Sequence, residues 1–148
     1  MFTYYQSNRW KILNRTDLRD EENEDPTTWG IDRILREIDH RLQLALEEGQ
    51  ALQKISVETF DGLLEKGALE KSFRPTLYDF IAHEASSFYQ LEETNGPKPK
   101  DSFTFDSNSP ALASVEEFLA WKPDTDQSPK GRALALYQDL LRLSLIHI

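Results

Sequence analysis

His83 and Glu84 stand side by side in the stretch Thr76-Leu77-Tyr78-Asp79-Phe80-Ile81-Ala82-His83-Glu84-Ala85, where a histidine could act as a general base or hold a metal ion. A helical zinc site needs a second ligand one turn away, as in H-E-x-x-H, but the residues a turn before and after His83 are Asp79 and Ser87. Neither completes a zinc pattern, so a histidine that packs or hydrogen-bonds at a helix interface is the better reading. His40 lies between Asp39 and Arg41 on a polar helix face, where solvation is the default. Asp124 and Asp126 form a D-x-D, which alone is common loop composition. The acidic run from Asn14 to Asp25 lacks the D-x-D-x-D-G spacing and closing glutamate of a calcium loop and reads as a solvated loop. Asn14-Arg15-Thr16 matches a glycosylation sequon, a motif short enough to arise by chance.

The motifs of nucleotide binding and hydrolysis, G-x-x-x-x-G-K-[ST], G-x-G-x-x-G and G-x-S-x-G, are missing from the sequence. With no cysteine, a disulfide framework, thiolate zinc ligands and a cysteine nucleophile are excluded within these residues. Tyr4, Tyr5 and Trp10 could stack nucleic-acid bases, but 26 acidic residues against 17 Lys and Arg give a net charge of −9, the wrong sign for a phosphate backbone or an anionic lipid surface. An aromatic core contact is the better role for them. The expectation is therefore no catalytic, cofactor-binding or metal-binding residue, no enzyme activity, no cofactor and no nucleic-acid partner.

The elements that would position these residues are helical. At 148 residues, with 39% hydrophobic and 29% charged residues, the chain suits one folded domain. Phe2, Tyr5, Trp10, Ile12 and Leu13 mark a first helix. Ile31, Ile34, Leu35, Ile38, Leu42, Ala45 and Leu46 recur at helical steps in a second, for which Thr28 is the expected N-cap and Gly49 the stop. Short turns follow, with Ser56 as a cap and Gly67 at the exit. Thr76 and Asp79 have capping-box spacing and open a helix whose expected inward stripe is Leu77, Phe80, Ile81, Ala85, Phe88 and Leu91. Proline and glycine then break the chain into an irregular loop around residues 93–112. Ser114 with Glu117 makes a capping box for a short helix stopped by Pro123, and Ser128-Pro129 caps the last one. The expected fold is all-α, with roughly six helices in stacked helical hairpins. No apolar run reaches the ~20 residues that span a bilayer, so no membrane insertion is expected of this segment.

Three stretches together resemble the N-terminal helical region of alpha-2-macroglobulin family proteins from Bacteroidetes. They are Tyr5-Gln6-Ser7-Asn8-Arg9-Trp10-Lys11 followed by Asn14-Arg15-Thr16, then Thr27-Thr28-Trp29, then Arg74-Pro75-Thr76-Leu77-Tyr78-Asp79-Phe80-Ile81-Ala82-His83-Glu84-Ala85. The resemblance implies a non-catalytic scaffold or interaction segment of a large envelope or periplasmic protein of the protease-inhibitor family, in a Gram-negative bacterium. Its partners would be the downstream β-sandwich domains of the same chain and, through the full-length protein, proteases. Arg74, Pro75, Thr76, Asp79 and His83 are carried over as a structural motif, with Arg74, Asp79 and His83 the candidates for a buried polar contact. The alternative is an independent helical-repeat adaptor that binds peptides or proteins in grooves between hairpins.

Leu143-Ser144-Leu145-Ile146-His147-Ile148 matches, residue for residue, the translated mosaic-end adapter of transposase-based sequencing libraries. The expected organisation is thus a helical N-terminal region over 1–142, part of a larger chain with any export signal upstream, and an adapter scar over 143–148.

Overall fold

The computed structural model describes residues 1–15, 24–64, 74–95, 106–124 and 128–146. The fold is all-α, with six α-helices and no strand among the described residues. The chain divides into two compact units, Met1–Glu47 and Glu48–Ile148.

The first unit holds α1 (Phe2–Leu13) and α2 (Ile31–Glu47). On α1, Phe2, Tyr5 and Ile12 are buried, while Trp10 is 79% exposed and so is not the core contact its aromatic ring suggests. On α2, Ile34 and Ile38 lie one turn apart and are buried, whereas Asp32, Arg36 and His40 face solvent. Glu37 accepts from Arg41 at 2.6 Å and Asp39 from Gln43 at 2.7 Å, pairs each contributing only ~0.2–0.5 kcal/mol.

The start of α2 differs from the expected Thr28 cap. Asp25 to Thr28 form a turn in which Thr28 N–H and its hydroxyl donate to the Asp25 carbonyl at 3.1 and 2.8 Å. Proline at the second position presets the dihedral such a turn needs, and the Asp25 carboxylate accepts from the Thr27 N–H and hydroxyl at 2.9 and 2.7 Å. Thr28 is thereby engaged in closing the turn. The first carbonyl of the helical ladder belongs to Gly30, which accepts from Ile34 N–H at 3.2 Å.

In the second unit Gly49 does not stop a helix but opens α3 (Gly49–Leu52). Its role is steric. A Cβ built on Gly49 would lie 3.1 Å from Cε2 of Tyr78 and 3.4 Å from Cδ2, so glycine lets this backbone pass against the ring. Ser56 caps a 3₁₀ turn, Val57–Phe60, by accepting from Glu58 N–H at 3.3 Å. Ser56 also bridges antiparallel to Thr76, with Val57 N–H donating to Pro75 O at 3.0 Å and Leu77 N–H to Ile55 O at 2.8 Å. This bridge fixes where α4 (Leu77–Tyr89) begins. Two further 3₁₀ turns, Glu92–Asn95 and Pro110–Leu112, lie within the expected irregular stretch, whose residues 96–105 fall outside the described set, as does Gly67.

α5 (Val115–Ala120) is capped by Ser114, whose hydroxyl oxygen accepts from Glu117 N–H at 3.1 Å. α6 (Pro129–Ile146) is capped by Ser128, which accepts from Gly131 N–H at 3.3 Å, and it continues through Leu143–Ile146 of the adapter-like stretch. α4 and α6 pack antiparallel, because Tyr78 at the start of α4 meets Asp139 while Tyr89 at its end meets Arg132.

The buried face of α4 is Tyr78, Ala82, Ala85, Ser86, Phe88 and Tyr89. Of the expected stripe only Ala85 and Phe88 are buried, and Leu77, Phe80, Ile81 and Leu91 are half-buried. The reason is the size of the facing residues. Ala82, Ala85 and Ser86, with Ala133 buried on α6, keep the contact shallow, and hydrophobicity alone ranks such residues below Leu, Ile and Phe. Phe88 supplies the bulk, worth ~1.5–3 kcal/mol when fully buried.

Candidate functional site

The motif Arg74, Pro75, Thr76, Asp79 and His83 gathers at the start of α4. Thr76 and Asp79 form a reciprocal capping box, in which Asp79 N–H donates to the Thr76 hydroxyl oxygen at 3.2 Å. In return one Asp79 carboxylate oxygen accepts from Thr76 N–H at 2.9 Å and from the Thr76 hydroxyl at 2.7 Å. The carboxylate sits in the first turn, at the positive end of the helix dipole, where negative charge is stabilised. Pro75 contributes its carbonyl to the bridge with Val57, and Arg74 and His83 are half-buried. Of the three candidates for a buried polar contact, Asp79 is half-buried and bonds to Thr76 in the helix cap. The His83 carbonyl accepts from the Ser87 hydroxyl at 2.9 Å, a bond within α4. His40 and Asp124 are exposed, Asp126 lies outside the described residues, and no group of three or more His, Cys, Asp or Glu among those described is placed to hold a metal ion.

A second polar constellation, absent from the sequence reading, lies where α6 meets α4 and α5. Tyr78 is buried, and its hydroxyl points at an Asp139 carboxylate oxygen 3.5 Å away. Burial, and then the Asp139 charge, push the phenol up to about 12. Such a tyrosine is a donor at neutral pH and not a base. Arg142 pairs with the other Asp139 oxygen at 2.8 Å and donates from its second terminal nitrogen to Leu119 O, also at 2.8 Å. Gln138, buried although polar, donates its side-chain N–H groups to the carbonyls of Phe118 and Trp121, the latter at 2.8 Å. The amide and guanidinium of α6 thus serve as the C-terminal cap of α5. A helix leaves its last carbonyls unpaired, and here another helix pairs them. Nothing local in the sequence announces this; the only signal is a glutamine amid Leu136, Leu140 and Leu141.

In the first unit Arg15 plays a comparable part. Its guanidinium donates to the Tyr4 hydroxyl at 3.1 Å and to Trp29 O at 3.2 Å, with a longer contact to Pro26 O at 3.5 Å, tying the end of α1 to the turn before α2. The Arg33 guanidinium lies 4.2 Å from the centre of the Trp29 ring. The Asp25 carboxyl is held below its ordinary range, first by the Thr27 N–H, next by the Thr27 hydroxyl, and further by Arg15. Glu116 is likewise lowered, by its own backbone N–H and then by the Ser114 hydroxyl. No helix among the described residues is long and apolar enough to cross a membrane.

Fold and side chains together define an all-α protein whose best-formed polar contacts close helix ends and turns. No protein-family model, curated protein or solved structure matches the chain.

Proposed function

We propose that the chain is a non-catalytic helical scaffold or interaction segment of a large alpha-2-macroglobulin-like envelope protein of the protease-inhibitor family. The observation that carries this reading is the use made of the stretch Arg74 to Ala85, the most specific part of the resemblance. Its Thr76 and Asp79 bond to each other in the cap of α4, and Tyr78, Ala82 and Ala85 are buried. Residues spent on a cap and a packing face support a fold-determining role better than a chemical one. In this reading the segment serves downstream domains of the same chain in the periplasm of a Gram-negative bacterium, and any contact with proteases comes through the full-length protein.

The test is long-read sequencing of the source locus across the codon for Arg142. A frame that runs on into a β-rich macroglobulin chain supports the proposal. A frame that ends at Ile148 overturns it. A companion assay mixes the purified chain with a panel of endopeptidases, with no stoichiometric trapping expected; trapping would move inhibition into these helices.

The second reading, an independent peptide- or protein-binding adaptor, is favoured by the exposed indole of Trp10, an aromatic anchor of the type enriched at interfaces. Trp10→Ala would then weaken capture of a partner by the purified chain while leaving its helix content unchanged.

A further inference from the structure

α5 is one and a half turns long, too short to persist by its own hydrogen bonds, since isolated helices below ~12–15 residues are marginal in water. Side-chain burial retains it only in part, since Phe118, Leu119 and Trp121 are half-buried. From Pro110 to Ala120 only Ala111 is buried, while Leu112 and Val115 are exposed. What it does have is a cap at each end: Ser114 at the N-terminus and, at the C-terminus, Gln138 and Arg142 reaching across from α6 to the carbonyls of Phe118, Leu119 and Trp121. We infer that Pro110 to Trp121 forms a strap that opens and closes on α6 as one unit, with Gln138 and Arg142 as its latch.

The asymmetry of the contacts carries the argument. α4 and α6 meet through buried side chains, Tyr78, Ala82, Ala85 and Phe88 on one helix and Ala133 and Leu136 on the other, so their pairing does not depend on the strap. The strap is joined to α6 by three hydrogen bonds to backbone carbonyls, and its apolar residues there, Phe118, Leu119 and Trp121, are only half-buried. Released into water, those carbonyls are solvated at once, and exposing half-buried side chains costs less than exposing the fully buried ones between α4 and α6, so the strap opens before that pair parts. Arg142 also couples the latch to the helix pair, because the guanidinium that holds Leu119 O is oriented by Asp139, which faces Tyr78. Opening moves the half-buried Phe118, Leu119 and Trp121 into water together and uncovers Gln138.

The experiment is hydrogen exchange on the whole chain, resolved to short peptides, comparing the parent with Gln138→Leu and Arg142→Ala. Gln138→Leu preserves approximate size while removing both donors. The expected result is exchange about tenfold faster at the amides of Phe118 to Trp121 in each variant, with α4 amides unchanged within about twofold. Uniform acceleration across α4, α5 and α6, or no acceleration at Phe118 to Trp121, overturns the inference. If a variant fails to fold, the parent decides the matter in low urea. Strap amides that exchange with a small urea dependence, below the steep dependence of α4, support a separate opening; a shared dependence refutes it.

Discussion

Replacing Thr76 by alanine removes the hydroxyl that accepts from Asp79 N–H and donates to the Asp79 carboxylate, but leaves the bond from the residue-76 N–H to that carboxylate. Loss of an N-cap oxygen costs about 1 kcal/mol, within a range of about 0.5–2. Asp79→Ala removes both accepted bonds and the negative charge in the first turn, itself worth ~0.3–1 kcal/mol, so a total of about 1–1.5 is expected. The double variant should fall short of the sum of the two by ~0.5–1 kcal/mol, because each single change already abolishes the shared contact at 2.7 Å. Urea unfolding followed by far-ultraviolet circular dichroism at neutral pH measures all three, and an unchanged m-value confirms that stability and not compactness has moved. If the two changes prove additive to within ~0.3 kcal/mol, the box does not act as a unit. The use of the Arg74 to Ala85 stretch as a helix start would then lose its energetic basis.

Further expectations concern packing and titration. Gly49→Val drives a branched side chain into the Tyr78 ring and should destabilise by ~1–3 kcal/mol, whereas Gly62→Ala meets nothing within 4 Å and should stabilise by ~0.4–1, both read from urea midpoints. In an ultraviolet pH titration, Tyr78→Phe should remove the phenol that ionises at about 12, well above the ordinary 10.0. Because the folded value exceeds the unfolded one, the stability linked to this group is fully present below pH 10.0 and is lost as pH rises toward about 12. A Tyr78→Phe variant with the same alkaline stability profile as the parent would refute that linkage. Arg15→Ala should cost ~1–3 kcal/mol in the first unit and alter Trp29 fluorescence, and Arg15→Lys should not restore it, since one ammonium lacks the fork that reaches both Tyr4 and Trp29.

What could be read in advance was what is local. Thr76 with Asp79, Ser56, Ser114 and Ser128-Pro129 were legible as caps because donor and acceptor lie within a turn of each other, and each caps its helix. At Ser114, however, only the bond from Glu117 N–H forms, and the carboxylate that meets the serine is that of Glu116, not the expected Glu117. Thr28 was misleading because its hydroxyl donates to the Asp25 carbonyl in the turn before the helix, and α2 starts only at Ile31. The face of α4 was illegible because burial there follows the partner helix, which admits alanine and serine and leaves Leu77, Phe80 and Ile81 at the margin. The caps that α6 supplies to α5 were invisible, joining residues about twenty positions apart with no spacing rule to link them. His83, the residue whose chemistry first draws the eye, is half-buried on α4 and belongs to no metal-ligand group among the described residues.

The approach of Gly49 to the Tyr78 ring has a consequence for how sequences of this kind can diverge. The two positions share one small volume, so a larger residue at 49 is best tolerated with a smaller one at 78. A lineage that keeps an aromatic ring at 78 is under pressure to keep glycine at 49, because even a Cβ there asks the ring to shift by a few tenths of an ångström. Among diverged relatives the two positions would change as a linked pair, a pattern of substitution that could reveal distant kinship where overall similarity has faded.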